Sequence, residues 1–141
     1  MIILREYAMS MLGLPYIYGG NSPLTGLDCS GFVCELLKSC GVLSMHEDLS
    51  AQLLYNKFAV ISPNRYGLGS LAFYGKAAND VSHVALCLDP YRMIEAGGGD
   101  RATLTKMDAA SKNACVRIRL IRGRADFLAV AKPDYATIGI I

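Results

Sequence analysis

Apolar residues at positions 3, 4, 7, 8, 11, 12 and 14 recur at the spacing of one helix face, and Pro15 stops the run. This spacing predicts an amphipathic helix over 3–14. A turn rich in glycine, Gly19-Gly20-Asn21-Ser22-Pro23-Leu24-Thr25-Gly26, leads to a second predicted helix over 29–40. Phe32, Val33, Leu36 and Leu37 form its apolar stripe, and Gly41 is placed to close it. A third, shorter helix is predicted over 48–58, with Leu49, Leu53 and Leu54 on one side. After Pro63 the pattern changes. Segments 71–74, 82–88, 92–96, 114–121 and 127–131 are short and bounded by Gly, Pro, Asn or Asp, as strands are. Helices followed by strands predict an α+β fold with helices on a small antiparallel sheet of about five strands. Residues 1–141 show no internal repeat or low-complexity stretch and read as a single domain.

Composition narrows the classes. The net charge is +2 and no basic run interleaves with aromatics, so no nucleic-acid partner is expected. Only 18% of residues are charged and the mean hydropathy is +0.31, which fits either a well-filled core or apolar surface offered to a partner. No stretch is long and apolar enough to predict a membrane span. The start, Met1-Ile2-Ile3-Leu4-Arg5-Glu6-Tyr7, breaks its apolar run with charge and lacks a small-residue cleavage site. The expectation is therefore a chain without a signal peptide, made in the cytoplasm. The five cysteines (Cys29, Cys34, Cys40, Cys87 and Cys115) are odd in number and lack CxxC spacing. Reduced thiols, no metal site and four cysteines acting as small core residues are expected. The Gly97-Gly98-Gly99-Asp100 segment lacks the Lys-Ser/Thr that would make it a phosphate loop.

Candidate chemistry centres on Leu27-Asp28-Cys29-Ser30-Gly31-Phe32-Val33. Cys29 opens the second helix, and the positive end of a helix dipole favours thiolate over thiol. An ordinary half-buried cysteine is the other reading. A thiol nucleophile needs a base, and the chain has two histidines. His46 lies in a polar connector and reads as a solvated surface residue. His83 opens the strand His83-Val84-Ala85-Leu86-Cys87, sharing a face with the small residues Ala85 and Cys87. It reads either as a base with room for a partner or as a hydrogen-bonded core histidine. Glu95 is the one carboxylate on the next strand, placed to orient an imidazole or to sit exposed. A three-residue hairpin loop pairing Cys87 with Tyr91 would set His83 directly opposite Glu95, about 5 Å away. An even-numbered loop would face His83 to Ala96 instead.

Taken together, Leu14-Pro15-Tyr16-Ile17-Tyr18-Gly19-Gly20-Asn21-Ser22-Pro23 and Asp28-Cys29-Ser30-Gly31-Phe32-Val33 resemble the NlpC-type cell-wall peptidases. These are papain-like cysteine enzymes that cut the stem peptides of bacterial peptidoglycan. Ser50-Ala51-Gln52, Gly69-Ser70-Leu71-Ala72-Phe73-Tyr74 and His83-Val84-Ala85 extend the resemblance in order and spacing, over about residues 3–131. It implies a papain-like α+β fold, Cys29 as nucleophile, His83 as general base and Glu95 at the third position, where relatives commonly carry histidine. It implies Tyr16 beside the oxyanion, and Asp28 and Ser30 shaping the pocket for the amino end of the stem peptide. The family pattern is altered at Gly69-Ser70, where an aspartate is usual, and at Ala85, where many relatives carry glycine. No cofactor is implied. The expected reaction is hydrolysis at a γ-D-glutamyl–diamino acid bond. The ending, from Arg117 through Val130, resembles compact phage- and tail-associated wall hydrolases, which implies delivery to the wall by a virion, tail or lysis proteins. Two other readings stay open: a non-catalytic structural or binding component of a phage tail, and an acyltransferase using the same Cys–His chemistry.

Overall fold

The computed structural model describes residues 1–60 and 63–135. The expected domain end at residue 141 lies outside the described residues. The first helix, α1 (Ile2–Ser10), buries Leu4 and Ala8 and stops four residues before the expected end. Gly13 takes a left-handed φ of +88°, which an α-helix cannot accommodate, and Leu14 before Pro15 is disfavoured in the α region. The turn that follows holds a two-stranded ribbon, β1 (Asn21–Ser22) with β2 (Gly26–Leu27), that the sequence pattern does not announce. Then comes α2 (Cys29–Ser39), whose expected stripe of Phe32, Val33, Leu36 and Leu37 is fully buried. Gly41 follows the cap with φ +79°, the left-handed turn that ends a helix.

In α3 (Ala51–Phe58) the buried face is Ala51, Leu54 and Phe58, whereas Leu53 is 49% exposed. Ser50 caps the helix by accepting from the Leu53 N–H, which starts α3 three residues later than expected and turns Leu53 outward. One further helix was not expected: α4 (Lys106–Lys112), between the third and fourth strands of the main sheet. It is short and buries only Ala109, too little for a periodic signal. Its trace in the sequence is the capping box of Thr105 and Asp108.

The main sheet contains β3 (Leu71–Ala77), β4 (Asp80–Cys87), β5 (Arg92–Gly97), β6 (Cys115–Leu120) and β7 (Phe127–Ala131). Its order is β6-β5-β4-β3-β7 and every pairing is antiparallel, as expected for an α+β fold. Alternation along the strands gives two dry faces. Leu71, Phe73, Val84, Leu86, Ile94 and Ala96 join the helices in the larger core. Ala72, Tyr74, Ala85, Cys87, Met93 and Val130 build a smaller core on the other face, closed by Ile121 and Phe127. Among the described residues no helix is long and apolar enough to cross a membrane.

The β4–β5 hairpin corrects one expectation. Cys87 pairs with Met93 and Leu88 with Arg92, not Cys87 with Tyr91. The loop still has three residues but is centred on Pro90. The side chain of Asp89 accepts from the backbone N–H groups of Tyr91 (2.8 Å) and Arg92 (2.7 Å), so the turn begins one residue later than expected. Continuing this register sets Glu95 opposite Ala85 and leaves His83 diagonal to it. An odd loop moves partners by two positions and so keeps both residues on one face.

Candidate active site

The tip of α2 is fixed by its own sequence. Asp28 is the N-cap: Oδ1 accepts from the Gly31 N–H at 2.7 Å, and Oδ2 accepts from the Gly19 N–H at 3.2 Å. Cys29 is therefore the first helical residue, and its own N–H is among the amides left without a partner inside the helix. Its Sγ lies 3.9 Å from the Ser82 carbonyl oxygen, at the start of the strand that carries His83. Gln52 of α3 steadies that strand, accepting from the Val81 N–H and donating to the Ala78 carbonyl, both at 2.8 Å.

His83 and Glu95 meet in spite of the shifted register. His83 Nε2 lies 2.8 Å from Glu95 Oε1, and Glu95 is 0% exposed, which removes the exposed reading of this residue. Burial alone would raise the Glu95 pKa, but the hydrogen bonds and charges of His83 and Arg117 outweigh it and hold it at about 2. A carboxylate only accepts, so Nε2 carries the proton and Nδ1 is the nitrogen left for the thiol. Burial works against a charged His83 as well. Hydrogen bonding to Cys29 and Glu95 overcomes it, and the imidazole pKa stands above its ordinary value. Cys29, His83 and Glu95 thus form one connected set.

Tyr16 is buried close to this set. Burial first, then the charges of Cys29 and Asp28, push its phenol upward, so it keeps its proton and can donate. Its ring packs where a side chain on Gly99 would be; a Cβ there would collide with the ring carbons. Gly97 leaves room in the same way, since a Cβ would strike the Glu95 carboxylate. The glycine run after β5 is thus the space into which two site residues fit. Asp28 and Ser30 stand beside the thiol and share the wall of a cleft of ≈ 220 Å³ with Gly19, Asn21 and Asp48. Burial, and then the charge of Asp48, raise the Asp28 carboxyl against the pull of its hydrogen bonds. His46 is exposed on the connector between α2 and α3, as expected. The four remaining cysteines are free; Cys34, Cys40 and Cys87 are buried, whereas Cys115 is only half-buried.

Sequence reasoning missed Arg117. It faces Glu95 directly across the β5–β6 pairing, and its Nε donates to Glu95 Oε2 at 2.9 Å. Arg119 stands 3.7 Å from the same oxygen. The alternation Val116-Arg117-Ile118-Arg119 in a predicted strand was the available signal, because a buried carboxylate needs cationic neighbours.

Comparison with known proteins identifies the family. Residues 13–119 match the NlpC/P60 family. The chain is 24% identical over 101 residues to a gamma-DL-glutamyl hydrolase of Bacillus subtilis, covering 71% of this chain and 24% of that protein. It is 30% identical over 94 residues to the bifunctional muramidase/DL-endopeptidase CwlT of the same organism, covering 65% of this chain and 27% of that protein. The chain thus spans about a quarter of the length of these relatives. Among solved structures, RipD of Mycobacterium tuberculosis, described as a non-catalytic NlpC/p60 domain protein, superposes with a TM-score of 0.65 at 19% identity. That match covers 92% of this chain and 93% of RipD.

Proposed function

The chain belongs to the NlpC/P60 family, and from that membership and the site geometry we propose that it is a cysteine peptidase that hydrolyses peptidoglycan stem peptides. The observation that carries the reading is the buried Glu95 carboxylate 2.8 Å from His83 Nε2, with Cys29 Sγ 3.9 Å from the carbonyl of Ser82, the residue before His83. A fold alone does not confer activity. What supports catalysis here is that nucleophile, base and orienting group are all present and connected.

In the proposed reaction, His83 Nδ1 takes the Cys29 proton and Sγ attacks the amide carbonyl carbon. The carbonyl π electrons move onto oxygen, which receives hydrogen bonds from the Cys29 N–H and the Tyr16 hydroxyl. The imidazolium then gives its proton to the leaving nitrogen, the C–N bond breaks and a thioester remains. Water attacks the thioester carbon while His83 takes its proton, and the second oxyanion collapses to acid and free thiol.

The bond proposed is the γ-D-glutamyl–diamino acid link. One relative is named a gamma-DL-glutamyl hydrolase and another a DL-endopeptidase, and the cleft lined by Asp28, Ser30 and Asp48 offers carboxylates to a cationic amino end. Delivery by a phage tail or lysis machinery rests on the resemblance of the chain's ending alone. The test is digestion of purified peptidoglycan by wild type and Cys29→Ala, with mass spectrometry of the products. New termini at D-glutamate and the diamino acid, from wild type only, are expected. No cleavage by folded wild-type protein would return the chain to a binding role, and added amine appearing in the products would identify an acyltransferase.

A further inference from the structure

Glu95 presents two carboxylate oxygens, and the proposed mechanism uses only Oε1. Oε2 receives the Arg117 Nε at 2.9 Å, from the residue directly opposite on β6. Room for this contact is built into the backbone. A Cβ on Gly97 would stand 3.2 Å from one guanidinium nitrogen of Arg117, and one on Gly98 would stand 3.0 Å from the other. Arg119 pairs with the same oxygen more loosely, its Nη1 3.7 Å from Oε2 while its Nη2 donates to the Gly123 carbonyl at 3.1 Å.

The catalytic cycle explains why a second partner is needed. His83 alternates between imidazolium and neutral imidazole, so for part of each turnover it offers Glu95 a hydrogen bond but no charge. A carboxylate with no exposed surface and no cation beside it takes up a proton instead. An arginine stays charged at every pH at which the protein is folded. We propose that Arg117 is a positioning residue that keeps Glu95 ionised and aimed at His83 throughout turnover, and so sets how tightly the imidazole holds its proton. This inference rests on the cysteine-peptidase reading of the site.

Other charged and titratable groups surround the pair. Cys29 comes from α2, and Tyr74 from β3 with its ring centroid 5.5 Å from that of His83. Arg124 lies over the Tyr74 ring at 5.1 Å and is paired with Asp126, whose charge also acts on His83. None of these changes when Arg117 is replaced, so the variant isolates one charge. Removing a fixed positive charge raises the proton affinity of the coupled His83–Glu95 pair as a whole, so the midpoint at which the pair loses its shared proton, read at His83, must rise.

The chain has only two histidines, which makes the test direct. The imidazole C2–H signals of His83 and His46 are titrated by NMR in wild type, Arg117→Gln and Arg117→Lys, with exposed His46 as internal reference. In Arg117→Gln the His83 midpoint should rise on the order of one pH unit, a tenfold change in proton affinity. The pH profile of peptidoglycan cleavage should move the same way. Arg117→Lys should stay near wild type, and His46 should not move. An unmoved His83 in Arg117→Gln overturns the inference, as does a lysine variant that shifts as far as the glutamine one. If Arg117→Gln does not fold, the lysine variant decides: a wild-type midpoint supports the role and a raised one contradicts it. The titration needs no substrate. A protein inert on peptidoglycan but with a shifting His83 loses the peptidase reading and keeps this one, and an active protein with a fixed His83 does the reverse.

Discussion

The two ends of strand β4 present the same face of the same sheet to opposite environments. Cys87, toward one end, sits among Ala72, Ala85, Met93 and Val130, and burial pushes its thiol up to about 12. His83, four positions back on the same face, meets Glu95, Tyr74 and the thiol at the tip of α2. Strand chemistry is not the difference, because both ends are pleated, paired and buried. The difference lies in what the neighbouring elements supply: a capped helix end, an arginine on the edge strand and a glycine run with no side chains in the way. Polar residues are stable in a buried sheet face where they satisfy one another, and under the proposed function the same wiring would activate the thiol at this end.

Substitutions at the polar end should have the largest effects. Cys29→Ala should abolish peptidoglycan cleavage, and His83→Ala should lower kcat/KM by roughly 10³-fold or more. Measurable residual turnover in Cys29→Ala would place the nucleophile elsewhere. Glu95→Gln should cost less, about 10²-fold, since it removes an orienting charge and leaves the base in place. Its stability effect carries a sign. With a folded pKa near 2, below the ordinary 4.5, Glu95 stabilises the fold above that ordinary value and loses its contribution as pH falls toward 2. Denaturant midpoints of wild type and Glu95→Gln should therefore converge below about pH 4; a constant gap would show that no ionised Glu95 is involved. His83 has the opposite dependence: its raised pKa gives stability that is full below its unfolded value and lost as pH rises through the folded one.

Gly97→Ala probes the space. The added methyl must displace the Glu95 carboxylate, and about a tenfold loss in kcat with little change in KM is expected. An unchanged kcat would mean that the carboxylate moves freely. At the dry end, Cys87→Ser places a hydroxyl in an apolar site and should cost about 1–3 kcal/mol of stability, with activity per folded molecule unchanged. A drop in kcat there would mean that the two ends are coupled. His46→Ala, on the exposed connector, should alter neither rate nor stability.

Much of this was legible in the chain because its signals are local. The α2 stripe and the five strands each follow from spacing over a few residues. The meeting of His83 with Glu95 was legible because only one histidine lay on a predicted strand and only one carboxylate lay on the next. The exact pairing was not legible, because whether the turn starts at residue 88 or 89 is decided by the Asp89 side chain. Arg117 was missed because its partner is 22 positions away and the β5–β6 register joins them. Helix α4 was missed because seven residues with one buried alanine carry no period.

The most direct test of the contrast between the two ends is the reactivity of the five thiols. Native protein at neutral pH is treated briefly with iodoacetamide, and alkylation at each cysteine is read by peptide mass spectrometry. Cys29 should react at least tenfold faster than half-buried Cys115 and far ahead of Cys34, Cys40 and Cys87, and His83→Ala should erase that lead. A Cys29 that reacts no faster than Cys115, or that keeps its lead without His83, would contradict the account of a thiol activated by His83 and Glu95.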